Sequence, residues 1–172
     1  NIEDESYKAR KLRYYRKRST IHKIKKMLGL YILENNDYLN SKEVKDLIEE
    51  YKDCLNLEET PEKGERRISD DFIYILDEIL GDHSTEANHI PTPLKLYRIN
   101  ILEHCLAQSP FNFDIALRLI KIYQDLNLTA QVVSKLHYLE FKSIQMESCG
   151  YIPIRQLLLS PNYSDLGYWY TK

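Results

Sequence analysis

Apolar side chains recur along most of this chain at the three- and four-residue spacing of an α-helix. The spacing predicts helices over 19–33, 41–55, 70–80, 92–107, 115–126 and 132–144, with a short further helix at 157–159. Polar or proline-containing connections separate these segments. The pattern therefore predicts an all-α fold of stacked antiparallel helical hairpins.

The first predicted helix carries its apolar residues on one stripe, at Ile21, Ile24, Leu28 and Tyr31 or Ile32. The stripe predicts one helix from about Ser19 to Leu33. The basic residues that precede Ser19 have adequate helix propensity, so that segment is either helical or loose.

Several residues mark helix ends. Asn40 and Glu43 form a capping box that predicts the start of the second helix. Ser69, followed by two aspartates, is predicted to cap the third helix, and Gly81 to end it. Thr92, followed by proline, predicts the start of the fourth helix.

The stretch from Ser109 to Tyr151 predicts a helical hairpin with a polar turn at 127–129. From Asn112 to Gln145 this unit spans 34 residues, the length of a tetratricopeptide repeat. The helix before it has apolar residues on two sides, which is typical of an interior helix in a stack. The predicted architecture is therefore a divergent tetratricopeptide-like solenoid fragment.

Charge is distributed unevenly along the chain. Residues 1–26 contain ten Lys and Arg against three acids, whereas residues 34–86 contain six against seventeen. The basic stretch 8–26 is therefore predicted to bind the phosphates of RNA or of a ribosome surface. Two alternatives are a solvated basic face, or docking on the acidic segment of this chain or of another. The residues proposed to bind an anionic surface are Arg10, Lys11, Arg13, Arg16, Lys17 and Arg18.

The sequence offers no recognisable catalytic chemistry. Its five glycines are never closer than 17 residues, so no glycine-rich loop can cradle a phosphate. No Ser, Thr or Cys lies in a known nucleophile motif. His83 and His89 share a loop but form an incomplete zinc ligand set. We therefore expect no catalytic, cofactor-binding or metal-binding residues.

Three widely separated cysteines without a Cys-x-x-Cys pair favour a reducing compartment. No apolar run reaches the roughly 18 residues needed to cross a bilayer, and no signal peptide is evident. We expect a cytoplasmic protein without membrane contact. Because the first residue is Asn rather than Met, we also expect the chain to be an internal part of a longer protein.

The segment that follows the predicted hairpin contains a specific motif, Lys-x-Ile-Gln-x-acidic-hydroxyl-x-Gly-Tyr. Its residues are Lys142, Ile144, Gln145, Glu147, Ser148, Gly150 and Tyr151. With the Ser109-Pro110 start, this motif resembles the auxiliary subunit family of the N-terminal acetyltransferase B complex (NatB). We expect the most specific of these residues, Lys142, Ile144, Gln145, Gly150 and Tyr151, to have structural or interaction roles.

The resemblance implies a non-catalytic scaffold that forms a heterodimer with a catalytic acetyltransferase subunit. That subunit would bind acetyl-CoA and act on nascent chains beginning Met-Asp, Met-Glu, Met-Asn or Met-Gln, and the scaffold would tether it to ribosomes. An RNA- or ribosome-binding helical protein using residues 8–26, and a generic helical-repeat adaptor, remain as alternatives.

Four segments are predicted from these patterns. They are a basic segment at 1–18, a helical region with acidic loops at 19–91, helical hairpins at 92–161 and an aromatic tail at 162–172.

Overall fold

A computed structural model describes residues 2–31, 40–62, 65–82 and 92–139 of the chain. All regular structure in these ranges is α-helical, which confirms the predicted fold class. The helices are α1 (Ile2–Met27), α2 (Lys42–Leu55), α3 (Asp70–Asp82), α4 (Thr92–Gln108), α5 (Phe113–Asp125) and α6 (Thr129–Tyr138). The chain forms two compact units, Asn1–Asn112 and Phe113–Lys172.

Helix α3 is the centre of the first unit, where it packs against α1, α2 and α4. Its side chains are buried around most of the helix, and Phe72, Ile73, Leu76 and Leu80 are almost fully inaccessible. Each such side chain stabilises the fold by roughly 1.5–3 kcal/mol relative to an exposed one. By contrast, Leu96 on α4 is 54% exposed, so the prediction of a helix buried on two sides was wrong at that position.

A buried polar cluster ties the start of α3 to the turn after α4. The Asp70 carboxylate accepts hydrogen bonds from Ser109 Oγ at 2.9 Å and from Asn112 Nδ2 at 2.6 Å. Tyr74 donates its hydroxyl proton to Asn112 Oδ1 at 2.6 Å. Burial raises the pKa of Asp70, and the two side-chain hydrogen bonds oppose that rise. The Ser109-Pro110 turn therefore has a structural role in the first unit.

Helix α1 begins at Ile2, so the basic segment before Ser19 is helical, which is one of the two alternatives that its helix propensity left open. Its C-terminal end differs from the prediction, which placed it at residue 33. It ends at Met27 because Gly29 adopts a left-handed conformation, with φ of 65°. Leu30 N donates to Lys25 O and Gly29 N donates to Lys26 O, which is the hydrogen-bond pattern of a Schellman motif. The predicted four-segment division stays a prediction.

Two other predicted helix ends were wrong. The N-cap of α2 is Ser41, whose side chain accepts a hydrogen bond from Val44 N, and not Asn40. Gly81 lies inside α3 rather than after it. A Cβ atom at Gly81 would lie 3.4 Å from Arg98 Nη2, which is an ordinary van der Waals contact.

Helices α5 and α6 pack together in the second unit as the predicted hairpin. Asn127 takes a left-handed φ of 56° between them, and Leu128 N donates to Tyr123 O in a second Schellman motif. The buried residues of the hairpin are Ile115, Ala116, Leu119, Ile120, Ile122, Tyr123, Val132, Val133 and Leu136. The 34-residue repeat stays a prediction, because its last part lies beyond Leu139, outside the described residues.

Candidate interaction surface

Helix geometry divides the basic residues of α1 between two faces. The inner face contains Lys8, Leu12, Tyr15, Ser19, His22 and Lys26, which are buried or half-buried. Their alternating spacing of four and three residues keeps them on one side of the helix. This side packs against α2 and α3.

Cations on or beside the inner face pair with the acidic segment of the same chain. Lys8 Nζ lies 2.9 Å from Glu59 Oε1, and Lys23 Nζ lies 2.7 Å from Asp71 Oδ2. Lys26 Nζ lies 3.0 Å from Glu78 Oε2. The alternative in which the basic stretch docks on the acidic segment of this chain is therefore correct for these residues.

Arg18 belongs to the same group. Its Nε donates to Glu50 Oε1 at 2.9 Å, and its Nη2 donates to the same oxygen. The hydrogen bond to Glu50 raises the pKa of Arg18. Arg18 was predicted to bind an anionic surface, but its guanidinium is hydrogen-bonded to the Glu50 carboxylate of the same chain.

His22 is the most buried titratable group of the inner face, at 5% exposure. Its Nε2 lies 3.0 Å from Glu50 Oε2, its Nδ1 hydrogen-bonds with the hydroxyl of Tyr31, and its ring packs edge-on against Phe72. Burial lowers the pKa of His22, although Glu50 acts in the opposite direction. The imidazole is therefore a neutral packing group at neutral pH.

The outer face of α1 consists of Arg10, Arg13, Tyr14, Lys17, Ile21 and Ile24, together with Leu28, which directly follows the helix and continues this face. All of these residues are exposed. Within the described part of the chain, no carboxylate pairs with the three cations of this face. The apolar stripe of Ile21, Ile24 and Leu28, on which the prediction of this helix rested, is exposed to solvent. The buried stripe is instead the inner face, whose small and polar residues gave a weak hydrophobic signal.

The remaining predicted anion-binding residues lie beside the outer face. Lys11 Nζ lies 5.2 Å from the centre of the Tyr7 ring. Arg16 lines an open cavity of about 640 Å³ that also contains Lys8, Glu58, Glu62 and Arg66. Because charges of both signs line this cavity, it favours no class of ion.

The two buried thiols are unreactive at neutral pH. Cys54 and Cys105 are free and buried, and burial raises the pKa of both thiols to about 12. Both remain protonated at neutral pH, and the thiolate is the nucleophilic form. These residues serve packing rather than covalent chemistry.

The described residues contain no group of three or more His, Cys, Asp or Glu placed to hold a metal ion. Nor does any helix there combine the length and apolar character that crossing a bilayer requires. His83 and His89 lie outside the described residues, so the prediction of no metal site stays a prediction.

The family-motif residues Lys142, Ile144, Gln145, Gly150 and Tyr151 also lie outside the described residues, as does the aromatic tail. Their predicted roles stay predictions. No curated protein and no solved structure gives a significant match to the chain. One family model, described as the N-acetyltransferase B complex (NatB) non-catalytic subunit, matches residues 2–166. A match over almost the whole sequence shows that the chain belongs to the family of non-catalytic NatB subunits.

Proposed function

We propose that this chain is part of a scaffold that binds and positions the catalytic subunit of a NatB-type N-terminal acetyltransferase. The family match over residues 2–166 is the observation that carries the proposal. The catalytic subunit binds acetyl-CoA and modifies nascent chains beginning Met-Asp, Met-Glu, Met-Asn or Met-Gln. The scaffold holds the pair at the ribosome in the cytoplasm and itself binds no cofactor.

The packing of the first unit is suited to such a role. A scaffold must hold its contact residues in fixed positions, and helices provide such positions when their buried faces are well packed. Here α3 is buried against three neighbours, and α1 packs on α3 and forms ion pairs with it. Exposed side chains of α1 therefore project from a rigid support.

The proposal is tested by purifying the full-length parent protein from its own cells and identifying the proteins that accompany it. We expect an acetyltransferase subunit in near-equal amount, and loss of acetylation on Met-Asp and Met-Glu N termini when the parent is depleted. Recovery of unrelated proteins without an acetyltransferase would overturn the scaffold role and favour a generic helical adaptor.

The alternative function is binding of RNA or of a ribosome surface through residues 8–26. It is supported by six cations in this stretch that have no carboxylate partner among the described residues: Arg10, Lys11, Arg13, Arg16, Lys17 and Lys25. If RNA is the ligand, glutamine at Arg13, Arg16 and Lys17 weakens its binding and reduces the slope of log K against log salt by about 2. Co-purification that disappears after nuclease treatment, with no acetyltransferase present, would favour this alternative.

A further inference from the structure

The outer face of α1 changes character along its length. Its N-terminal half contains Arg10, Arg13 and Lys17, and its C-terminal half contains Ile21, Ile24 and Leu28. Positions 10, 14, 17, 21, 24 and 28 follow each other at alternating spacings of four and three residues. This is the repeat by which one helix presents a continuous seam to another helix.

The apolar half of this seam is open to solvent. Ile24 is 51% exposed and Leu28 is 66% exposed, and Met27 beside them is 83% exposed. Adjacent exposed apolar residues of this kind mark interaction sites more often than isolated ones do. The opposite side of α1 packs on α2 and α3, so the helix needs no help from the outer face to remain in place.

We propose that the outer face of α1 docks an amphipathic helix of a partner protein. The partner helix places carboxylates against Arg10, Arg13 and Lys17, and apolar side chains against Ile21, Ile24 and Leu28. The opposite side of α1 shows how such a polar half pairs, since Arg18, Lys23 and Lys26 on or beside the inner face form ion pairs with carboxylates of α2 and α3. Charge complementarity of this type selects the partner and fixes the direction in which it lies.

A helix fits this seam better than the other ligands of a basic surface. RNA would neutralise the cations but would leave Ile21, Ile24 and Leu28 in water. A membrane surface favours a broad apolar face with the cations on the polar side of the helix. Here the apolar stripe is narrow, and the cations continue along the same stripe. Both observations match a helix-to-helix seam.

This contact goes beyond the proposed scaffold role, because it is defined by the chemistry of α1 and not by the catalytic subunit. Either the catalytic subunit or a different protein can supply the acidic helix. The absence of an acetyltransferase from the purified parent would therefore refute the proposed function and leave this proposal standing.

The first step of the test identifies the protein segment that lies against the outer face of α1. The full-length parent is produced in its own cells with photoreactive benzoyl-phenylalanine in place of Ile24, and the cross-linked peptide is mapped by mass spectrometry. The same reagent in place of Leu96, which is 54% exposed on α4, serves as the control. We expect a cross-link specific to position 24, on a segment with carboxylates and apolar residues at three- and four-residue spacing.

The second step tests the charge pairing directly. A synthetic peptide of the mapped segment is titrated against the full-length parent. Replacement of Arg13 and Lys17 by Glu should weaken binding about tenfold or more, and exchange of the peptide's carboxylates for Lys should restore it. Lys121→Glu, a reversal at an exposed lysine of α5, should leave the affinity within about twofold.

Several outcomes would overturn the proposal. Cross-links from position 24 to RNA or to lipid would assign the face to those ligands instead. A protein cross-link no stronger than that from position 96 would show that the face is unoccupied. A mapped segment without carboxylates, or a charge exchange that fails to restore binding, would remove the stated complementarity.

Discussion

Gly29 and Gly81 occupy different backbone conformations, and the difference decides what each can tolerate. Gly29 ends α1 in the left-handed region, with φ of 65° and no atom within 4 Å of where a Cβ would lie. Gly81 lies within α3, where a Cβ would make ordinary contact with the Arg98 guanidinium at 3.4 Å. Backbone conformation therefore decides the effect of a substitution at Gly29, whereas helix propensity decides the effect at Gly81.

We expect Gly29→Ala to lower the free energy of unfolding by about 1 kcal/mol, because an L-residue in the left-handed region is strained by that amount. Gly81→Ala should raise it by about 0.5–1 kcal/mol, because alanine is the better helix former. Urea denaturation of the two variants and of the unsubstituted chain measures both changes in the free energy of unfolding. Equal effects of the two substitutions would contradict the assigned conformations.

Protonation of His22 opposes folding. Burial keeps the pKa of His22 below its ordinary value of 6.5 in the folded state, where Glu50, Arg18, Lys25 and Tyr31 surround it. As the pH falls below about 6.5, the unfolded chain binds a proton that the folded chain resists. The free energy of unfolding should therefore decrease on acidification, by at most about 1.4 kcal/mol per pH unit from this group.

The free energy of unfolding is measured by denaturation between about pH 7.5 and 5.5, for the unsubstituted chain and for His22→Gln. The variant should lose part of the pH dependence, since glutamine does not titrate. An identical pH dependence in both proteins would show that the pKa of His22 is not lowered in the folded state.

At the scale of the helix, neighbouring residues of α1 have opposite surroundings. Arg18 points inward to Glu50, whereas Lys17 lies on the outer face. Arg18→Glu should lower the free energy of unfolding by about 1–2 kcal/mol, because a charge-assisted bond is lost and two carboxylates then face each other. Lys17→Glu, the matched control, should leave the unfolding midpoint unchanged. Equal losses would contradict the division of α1 into two faces.

The contact between α3 and α4 includes a buried ion pair. Arg98 Nε lies 2.8 Å from Asp77 Oδ1, and the side chains are 12% and 3% exposed. Arg98→Met should lower the free energy of unfolding by about 3 kcal/mol, because it leaves a buried carboxylate without its cation. Thermal unfolding measures the loss, with Arg13→Met on the outer face as the control. A loss no larger than that of the control would show that the pair is dispensable.

For the whole molecule, internal pairing limits how strongly the basic segment can bind a polyanion. Of its ten cations, four pair with carboxylates of the same chain, which leaves six. Any binding of single-stranded RNA should therefore show a slope of log K against log salt of about −4, since each phosphate contributes about −0.7. Titration at several salt concentrations gives the slope. A slope near −7 would mean that the internal pairs open to release all ten cations.

The helices of this chain were predictable where local periodicity and local end signals agree. Helices α2 and α5 match their predicted positions closely, because their apolar residues repeat with the helical period and the turn at Asn127 is polar. Helix α6 begins at Thr129 and ends at Tyr138, before the predicted range of 132–144 at both ends. Which face of α1 is buried was not predictable in this way. Its inner face buries Ser19 and His22, whose partners Asp71 and Glu50 are distant in the sequence.

By itself, the sequence determined the helical fold class, the placement of most helices, the separation of basic and acidic segments and the family resemblance. These properties depend on local propensity, composition and motif, each of which can be read along the chain. Only the tertiary structure decided which basic residues are internal and which apolar stripe of α1 is exposed. Burial is set by the neighbours that pack against a face, and here oppositely charged helices cover the more polar face of α1 and leave Ile21, Ile24 and Leu28 in solvent.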